Sequence, residues 1–160
     1  WIYSDDFGAG DTIASGGYDG TTAEYQLGVN AAGQFLWGTY NDGNEIGIRF
    51  GDYPNTGEWV HIAAVYDGGA DDYRLFYDGS LVATESSSYS PRDASNSIDA
   101  VIGAHAYKQD EVSHFDGRIE DFRIYNRALS QSEIGELSGT SGHLETATSY
   151  AVDPLSSSRG

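Results

Sequence analysis

The chain of 160 residues contains no cysteine and no methionine, and only eight of its residues are Lys or Arg. The absence of cysteine excludes a disulfide framework and a thiolate metal site. Methionine is absent even from position 1, so we expect the chain to be a processed or excised part of a longer product. No apolar run approaches the roughly 20 residues that a membrane-spanning helix needs, and we therefore predict no membrane span.

The shortage of basic residues leaves the chain strongly acidic. Its 25 Asp and Glu residues against eight Lys and Arg give a formal net charge of −17. A negative field of this kind repels phosphate groups, so nucleic acid is not an expected partner. The same field favours cations and neutral ligands, although a well-hydrated surface alone would also account for it.

The clearest local pattern predicts a β-hairpin from Glu58 to Gly79. Its first arm, residues 59–66, is almost free of charge, as expected of a buried strand. Its second arm, residues 73–77, is aromatic and aliphatic with one Arg. Gly and Asp residues between the arms favour a loop, and Asp78-Gly79 favours a second turn that leads into a third strand at Leu81.

Short alternating or apolar stretches predict further strands, which Gly, Asp and Asn residues separate. The predicted strands are residues 1–4, 23–29, 34–40, 45–50, 98–104 and 115–125, with loops at 5–11, 16–20, 85–97 and 105–114. Ser130 and Glu133 form a capping-box pattern that predicts one short helix carrying Ile134 and Leu137. This arrangement is typical of an all-β sandwich.

Two motifs carry a resemblance to a known family. Residues 59–68 read Trp-x-His-Ile-Ala-x-x-Tyr-Asp-Gly, and Leu-Phe-Tyr-Asp-Gly follows at 75–79. A second block comprises Ile102-Gly103-Ala104 and the stretch from Phe115 to Ser130. In order and spacing, these blocks resemble the laminin G-like, concanavalin A-like lectin and glucanase jelly-roll modules. The resemblance covers residues 1–138 and implies an antiparallel jelly-roll β-sandwich with one short helix near the C-terminal end.

The resemblance also implies a gap at the start of the domain. In the family, the strand that matches Trp1 to Ser4 follows earlier strands that complete both sheets, and those strands are absent here. Residues 139–160 form a linker and tail in which Leu144 to Val152 alternates along a potential strand. We expect this tail to be an added strand of its own domain or a strand donated to a neighbouring copy. Alternatively, the missing strands belong to a part of the parent protein outside this chain.

Catalysis is not expected. The family includes glucanases, in which the catalytic carboxylates resemble Glu-x-Asp-x-x-Glu on one strand, and this chain has no such triplet. Glu120 and Asp121 are adjacent, so on a regular strand they face opposite ways. No Gly-x-Ser-x-Gly motif and no metal-binding His spacing occurs. His61 lies in the signature strand, where we expect a structural histidine with its hydrogen bonds satisfied.

Aromatic and polar residues in or beside loops are the candidates for ligand binding, because sugars stack on aromatic rings and hydrogen-bond to polar groups. Trp59 and Phe76 are expected in the core instead. The predicted ligand-binding residues are Tyr40, Asn41, Asp42, Tyr53, His105, Tyr107 and Gln109. For each of them, surface packing is the alternative to ligand contact.

Calcium is the predicted cofactor, because Ca²⁺ takes six to eight oxygen ligands and this chain concentrates carboxylates in its loops. No EF-hand pattern is present, and turn formation is the alternative role of each carboxylate. The predicted metal ligands are Asp5, Asp6, Asp71, Asp72, Asp110 and Asp116.

The sequence therefore predicts a non-catalytic, calcium-assisted binding or adhesion module, secreted or held at a cell surface. Its expected partner is a polysaccharide or a cell-surface glycan. The alternative is a structural subunit of an extracellular assembly or filament, built by strand exchange between copies through the tail.

Overall fold

A computed structural model describes residues 1–8, 10–16, 23–30, 32–41, 44–51, 56–87, 100–105 and 114–139. Eleven strands and one helix lie in these ranges. In chain order they are β1 (Ile2–Ser4), β2 (Thr12–Gly16), β3 (Ala23–Val29), β4 (Phe35–Asn41), β5 (Asn44–Phe50), β6 (Trp59–Val60), β7 (Ile62–Asp67), β8 (Asp72–Tyr77), β9 (Ser80–Ser86), β10 (Val101–Ile102), β11 (Gly117–Ile119) and α1 (Gln131–Gly139).

All the strand pairs are antiparallel, and they form three sheets. The first has the order β10-β2-β3-β4-β5, the second β7-β8-β9 and the third β11-β1-β6. The predicted antiparallel β-sandwich of jelly-roll type is thereby confirmed. Predicted strands at the start of the chain, at 23–29, 34–40 and 45–50, and at the third strand of the meander are also confirmed.

The core lies between the five-stranded sheet and the β7-β8-β9 sheet. Phe35 and Trp37 of β4 contact Tyr77 and Tyr73 of β8, with ring centroids 6.2 and 6.1 Å apart. Such edge-on contacts suit the quadrupoles of aromatic rings. The Trp37 indole Nε1–H also donates a hydrogen bond to the Val65 carbonyl oxygen at 3.0 Å, which ties β4 to β7.

The helix covers the other face of the β7-β8-β9 sheet. Its capping box is confirmed: the Glu133 carboxylate accepts the Ser130 backbone N–H at 2.8 Å, and the Ser130 hydroxyl accepts the Glu133 N–H at 3.3 Å. Ile134 is fully buried against Val65, Phe76 and Leu129. The core position predicted for Phe76 is therefore also confirmed.

The first arm of the predicted hairpin is divided at His61. Its beginning, β6, pairs with β1, whereas its remainder, β7, pairs with β8. Asp78 causes the break: its carboxylate accepts the His61 N–H and its own N–H donates to the His61 carbonyl, each at 2.8 Å. Because both backbone groups of His61 are bonded to this turn, the residue cannot pair within a regular ladder.

The strand predicted at 115–125 is confirmed only for Gly117–Ile119 and is wrong on either side of that range. β11 pairs with β1 through Gly117–Ile119, and the following residues, 121–125, are not in a strand. Strands need neighbours, and no described strand pairs with residues 121–125. Asp121 turns the chain there, at a φ of 49°.

Two further differences concern short strands at one edge. The strand predicted at 98–104 is reduced, in the described chain, to Val101–Ile102. β2 was not predicted at all, and Gly16, expected in a loop, is its last residue. All five residues of β2 are buried, so the strand lacks the alternation of a half-exposed one.

The predicted linker and tail lie outside the described residues from position 140 onward, as do most of the predicted loops at 16–20, 85–97 and 105–114. The one helix in the described ranges, α1, is nine residues long. It is too short and too polar to cross a bilayer.

Candidate functional site

Three of the predicted ligand-binding residues lie in the described part of the chain, and they do not all lie together there. Tyr40 and Asn41 end β4, and His105 follows β10. β2 and β3 separate β10 from β4 in the sheet, which corresponds to about 14 Å between strand axes. The remaining members of the set, Asp42, Tyr53, Tyr107 and Gln109, lie outside the described residues.

The predicted metal ligands likewise form no described site. Asp71 and Asp72 lie at the β7–β8 turn, where Asp71 accepts the Tyr66 hydroxyl at 3.4 Å and Asp72 accepts the Arg74 Nε–H at 3.0 Å. In the part of the chain that the structure describes, no three Asp, Glu or His side chains could share a metal ion. Asp110 lies outside that part, and Asp5, Asp6 and Asp116 are exposed within it.

A buried carboxylate, Asp11, organises the loop beside those exposed aspartates. Burial raises the pKa of Asp11, and backbone hydrogen bonds from Gly8, at 2.9 Å, and from Asp116 oppose that rise. The nearby charges of Asp116 and Asp6 raise this pKa as well. The carboxylate therefore links the loop after β1 to the segment that leads into β11.

The third sheet carries a row of side chains on its outer surface, which we call the outer ladder: Trp59, Tyr3 and Arg118. Tyr3 of β1 lies directly opposite Trp59 of β6 on one side and Arg118 of β11 on the other. Opposite residues of antiparallel strands share one face of the sheet. Tyr3 and Trp59 are half-buried and Arg118 is exposed, so the ladder faces solvent.

The inner face of the same strands explains why the ladder faces outward. Ile2 is opposite Val60 and Ile119, and all three belong to the core or pack against it. Because strand residues alternate between faces, burying this apolar row directs the neighbouring row to solvent. Trp59 was expected in the core, and that expectation was wrong for this reason.

The geometry of the outer ladder is that of a small aromatic platform with a cation at one end. The rings of Tyr3 and Trp59 are 5.6 Å apart between centroids and inclined at 57°. The guanidinium carbon of Arg118 lies 4.5 Å from the Tyr3 ring centroid, a cation–π distance. No carboxylate of the described residues forms an ion pair with Arg118.

A second feature is a cavity of about 540 Å³, which we call the slot. Every residue from 61 to 68 lines it on one side, and every residue from 121 to 129 lines it on the other. Ile13, Leu27 and Trp37 of the five-stranded sheet also line it. A strand paired on both edges would expose alternate residues to such a cavity, so the continuous lining identifies an edge of β7 with which no described strand pairs.

His61 lies at one end of the slot, and its buried ring Nδ1 has no hydrogen-bond partner among the described residues. The expectation of a fully satisfied histidine was therefore wrong. Its ring makes an edge-on contact with Trp1 at 5.3 Å between centroids, and burial lowers its pKa. The imidazole is consequently neutral at physiological pH.

Comparison with known proteins identifies the family. A family model described as the Concanavalin A-like lectin/glucanases superfamily, Laminin G 3, matches residues 1–135. The chain belongs to this superfamily. The search of curated proteins found no match to this chain.

Solved structures share its fold at low identity. The sialidase CBM40 of Ruminococcus gnavus, bound to α2,3-sialyllactose, has a TM-score of 0.69 at 19% identity, covering 86% of this chain and 79% of that one. A putative carbohydrate binding protein of Bacteroides ovatus has a TM-score of 0.66 at 20% identity, covering 84% and 38%. The SAP-like pentraxin of Limulus polyphemus has a TM-score of 0.57 at 17% identity, covering 86% and 66%. At these identities the likeness shows the fold alone. The present chain spans just over a third of the Bacteroides protein.

Proposed function

We propose that this domain is a non-catalytic glycan-binding module and that the outer ladder is its contact surface for sugar. The carrying observation is the register that places Tyr3 and Trp59 side by side on the solvent face of one sheet. Aromatic rings exposed in this way bind the apolar faces of pyranose rings, because burying both surfaces removes them from water. The fold shared with two carbohydrate-binding proteins supports the proposal.

Arg118 defines the class of glycan. A planar guanidinium binds a carboxylate through two parallel hydrogen bonds, and Arg118 has no described carboxylate partner. On a chain of net charge −17, a cation against the Tyr3 ring that has no carboxylate partner among the described residues favours an anionic sugar over a neutral one. The ligand that we propose is therefore an acidic glycan, containing a uronic or sialic acid.

The carboxylates next to the ladder support a non-catalytic role. Asp121 accepts two hydrogen bonds of 2.7 Å from Arg123, so both of its carboxylate oxygens already have a partner within its own segment. Glu120 is exposed after β11, where its backbone N–H donates to the Trp1 carbonyl. We expect no release of reducing ends from any glycan that the domain binds, and release that depends on Glu120 would contradict the proposal.

The test compares matched glycans on purified variants. We expect Trp59→Ala to weaken binding of acidic and neutral glycans at least about tenfold, which corresponds to the loss of about 1.4 kcal/mol of stacking. Arg118→Gln should weaken the binding of acidic glycans by a similar factor and leave the binding of their neutral counterparts unchanged. Leu81→Ala, an exposed apolar position on β9, is the matched control. If Trp59→Ala binds as the parent does, the outer ladder is not the site.

Calcium assistance and a location outside the cell belong to the same proposal. A secreted or surface-bound module would meet polysaccharides directly, and Ca²⁺ would offset some of the negative charge near the loop after β1. The electrostatic influence of Asp6 and Asp116 on Asp11 supports a cation preference there. The described residues alone do not supply a complete set of ligands.

A further inference from the structure

The slot is a gap in a sheet rather than an ordinary pocket. β7 pairs with β8 along all six of its residues, and no described strand pairs with its other edge. In the facing segment, residues 121–127 are all exposed, including its apolar side chains. Ile124 is 69% exposed, Tyr125 43% and Phe122 37%.

The neighbouring β11-β1-β6 sheet indicates the width of the gap. β1 lies between β6 and β11, and the Glu120 N–H donates to the Trp1 carbonyl at 2.9 Å where this ladder ends. Beyond that point β6 continues through His61 into β7, and β11 continues into residues 121–129. Two segments that diverge from a common middle strand leave room for one more strand between them.

We propose that Leu144–Val152 of the tail occupies the slot of its own domain as an additional strand. The inference stands apart from glycan binding, because the outer ladder and the slot share no residue.

The composition of the tail fits a strand with both faces covered. A strand placed in the slot would face the five-stranded sheet on one side and the region of Leu129 and Leu137 on the other. Such strands are nearly free of charge. Within Leu144–Val152 the single charged residue is Glu145, in a chain of which 21% is charged.

The side chains on the two faces of this stretch also differ in size. One face presents Leu144, Thr146, Thr148, Tyr150 and Val152, and the other presents Glu145, Ala147, Ser149 and Ala151. The larger face suits the apolar floor of the slot. The smaller face suits the side on which α1 already packs, because bulky residues would collide with the helix.

The helix delivers the tail to the slot. Leu137, in the last turn of α1, lines the slot, and α1 ends at Gly139. Residues 140–143 can span at most about 14 Å, and nine extended residues span about 30 Å against about 20 Å for β7. A link this short gives the tail a far higher effective concentration at its own slot than at that of a neighbour.

Cysteine trapping tests the placement directly, because the chain has no cysteine of its own. Ala64 of β7 lines the slot and packs towards the main core. Ala64→Cys would be combined in turn with Thr146→Cys, Thr148→Cys and Tyr150→Cys in the full chain. One of these pairs should form an intramolecular disulfide at least about tenfold faster than the matched control, Ala64→Cys with Ala147→Cys, because Ala147 lies on the opposite face.

Each other outcome overturns the proposal. Equal trapping rates at all four tail positions would show that the tail is free. Disulfide-linked dimers in place of intramolecular bonds would show that the tail enters a second copy. Absence of trapping at every position would leave the slot to a strand from elsewhere.

A stability measurement provides an independent check. Thr148→Pro removes a backbone N–H from the middle of the proposed strand. We expect it to lower Tm by about 5 °C or more, whereas Ser156→Pro, beyond the proposed strand, leaves Tm unchanged. Equal Tm values for the two variants would contradict insertion of the tail, and a folded Thr148→Pro variant that keeps its affinity for acidic glycans would show that glycan binding is separate.

Discussion

β7 has a different environment on each of its two edges. Along one edge it pairs with β8, whose Tyr73, Leu75 and Phe76 are essentially inaccessible to solvent. Along the other edge lies the slot, and five of the six residues of β7 are half-buried. The same strand thus borders a closed core on one edge, and on its other edge no described strand pairs with it.

The difference shows that burial in this fold depends on neighbouring strands more than on residue type. Val65 is buried because α1 packs on it, while Ile62 and Ala64 are just as apolar and remain partly exposed. The closed side should therefore supply most of the free energy of unfolding, and the open side should tolerate substitution.

Leu75→Ala removes a fully buried side chain on the closed side. We expect the free energy of unfolding to fall by about 2–5 kcal/mol, because the cavity cannot collapse completely. Ile124→Ala, at an exposed position beside the slot, should change it by less than about 0.5 kcal/mol. Urea denaturation of both variants measures the difference, and comparable losses would contradict the contrast.

Ser130→Ala tests the helix that closes one face of the β7-β8-β9 sheet. Loss of the N-cap should reduce the free energy of unfolding by about 1 kcal/mol. The pKa of Glu133 is lowered to about 2, first by its hydrogen bonds to Arg127 and then by those to Ser130. Because folding lowers the pKa of this carboxyl group, its ionised form stabilises the fold at any pH above the unfolded value near 4.3. This stabilisation is lost as the pH falls towards 2.

The control for this prediction is Ser132→Ala, an exposed neighbour in the same helix. Thermal unfolding at pH 7 should separate the two variants by a few degrees. If Ser132→Ala is as costly as Ser130→Ala, the loss reflects the helix in general and not its cap.

His61, at the end of the slot, should make the open side sensitive to acid. Burial lowers its pKa in the folded chain, so the unfolded chain takes up a proton first as pH falls through about 6.5. The fold therefore loses stability below that pH and is unaffected above it. His61→Gln should remove this part of the pH dependence.

The measurement is the change in Tm between pH 8 and pH 5 for the parent and for His61→Gln. The remaining histidines are present in both proteins, so their contributions cancel. Identical changes in Tm would mean that folding does not lower the pKa of His61 and would contradict this prediction.

Calcium is expected to have the smallest effect. If Ca²⁺ binds near Asp6 and Asp116, millimolar calcium should raise Tm relative to chelator, because an ion that binds only the folded chain stabilises it. Asp116→Asn should reduce the rise, whereas Asp71→Asn, in a turn on the closed side, should not. Coincident melting curves in calcium and chelator would show that Ca²⁺ does not stabilise this domain.

Much of the fold was predictable because its signals are local. The hairpin arms, the Asp78-Gly79 turn and the Ser130 cap each depend on residues within a few positions of one another. β2 escaped prediction because its five buried residues do not alternate. The end of β11 was misplaced because the length of a strand depends on its partner, which the residues of the strand do not encode.

The outer ladder was beyond sequence reasoning for a related reason. Tyr3, Trp59 and Arg118 are adjacent only because β1 lies between β6 and β11. Trp59 matched a core pattern as well as a surface one, and the difference depends on the face that Ile2 and Val60 bury. Calcium binding and the role of the tail remain predictions.

The alternation that exposes the outer ladder has a consequence for how this surface can evolve. Each of its residues is flanked by a core residue on the same strand: Ile2 beside Tyr3, Val60 beside Trp59, and Ile119 beside Arg118. Point substitutions at the three outward positions leave those core residues in place, so a randomised library there should remain largely folded. A one-residue insertion or deletion in any of the three strands would instead turn the outward row into the core. New specificities should therefore arise by substitution at these positions and not by changes of strand length.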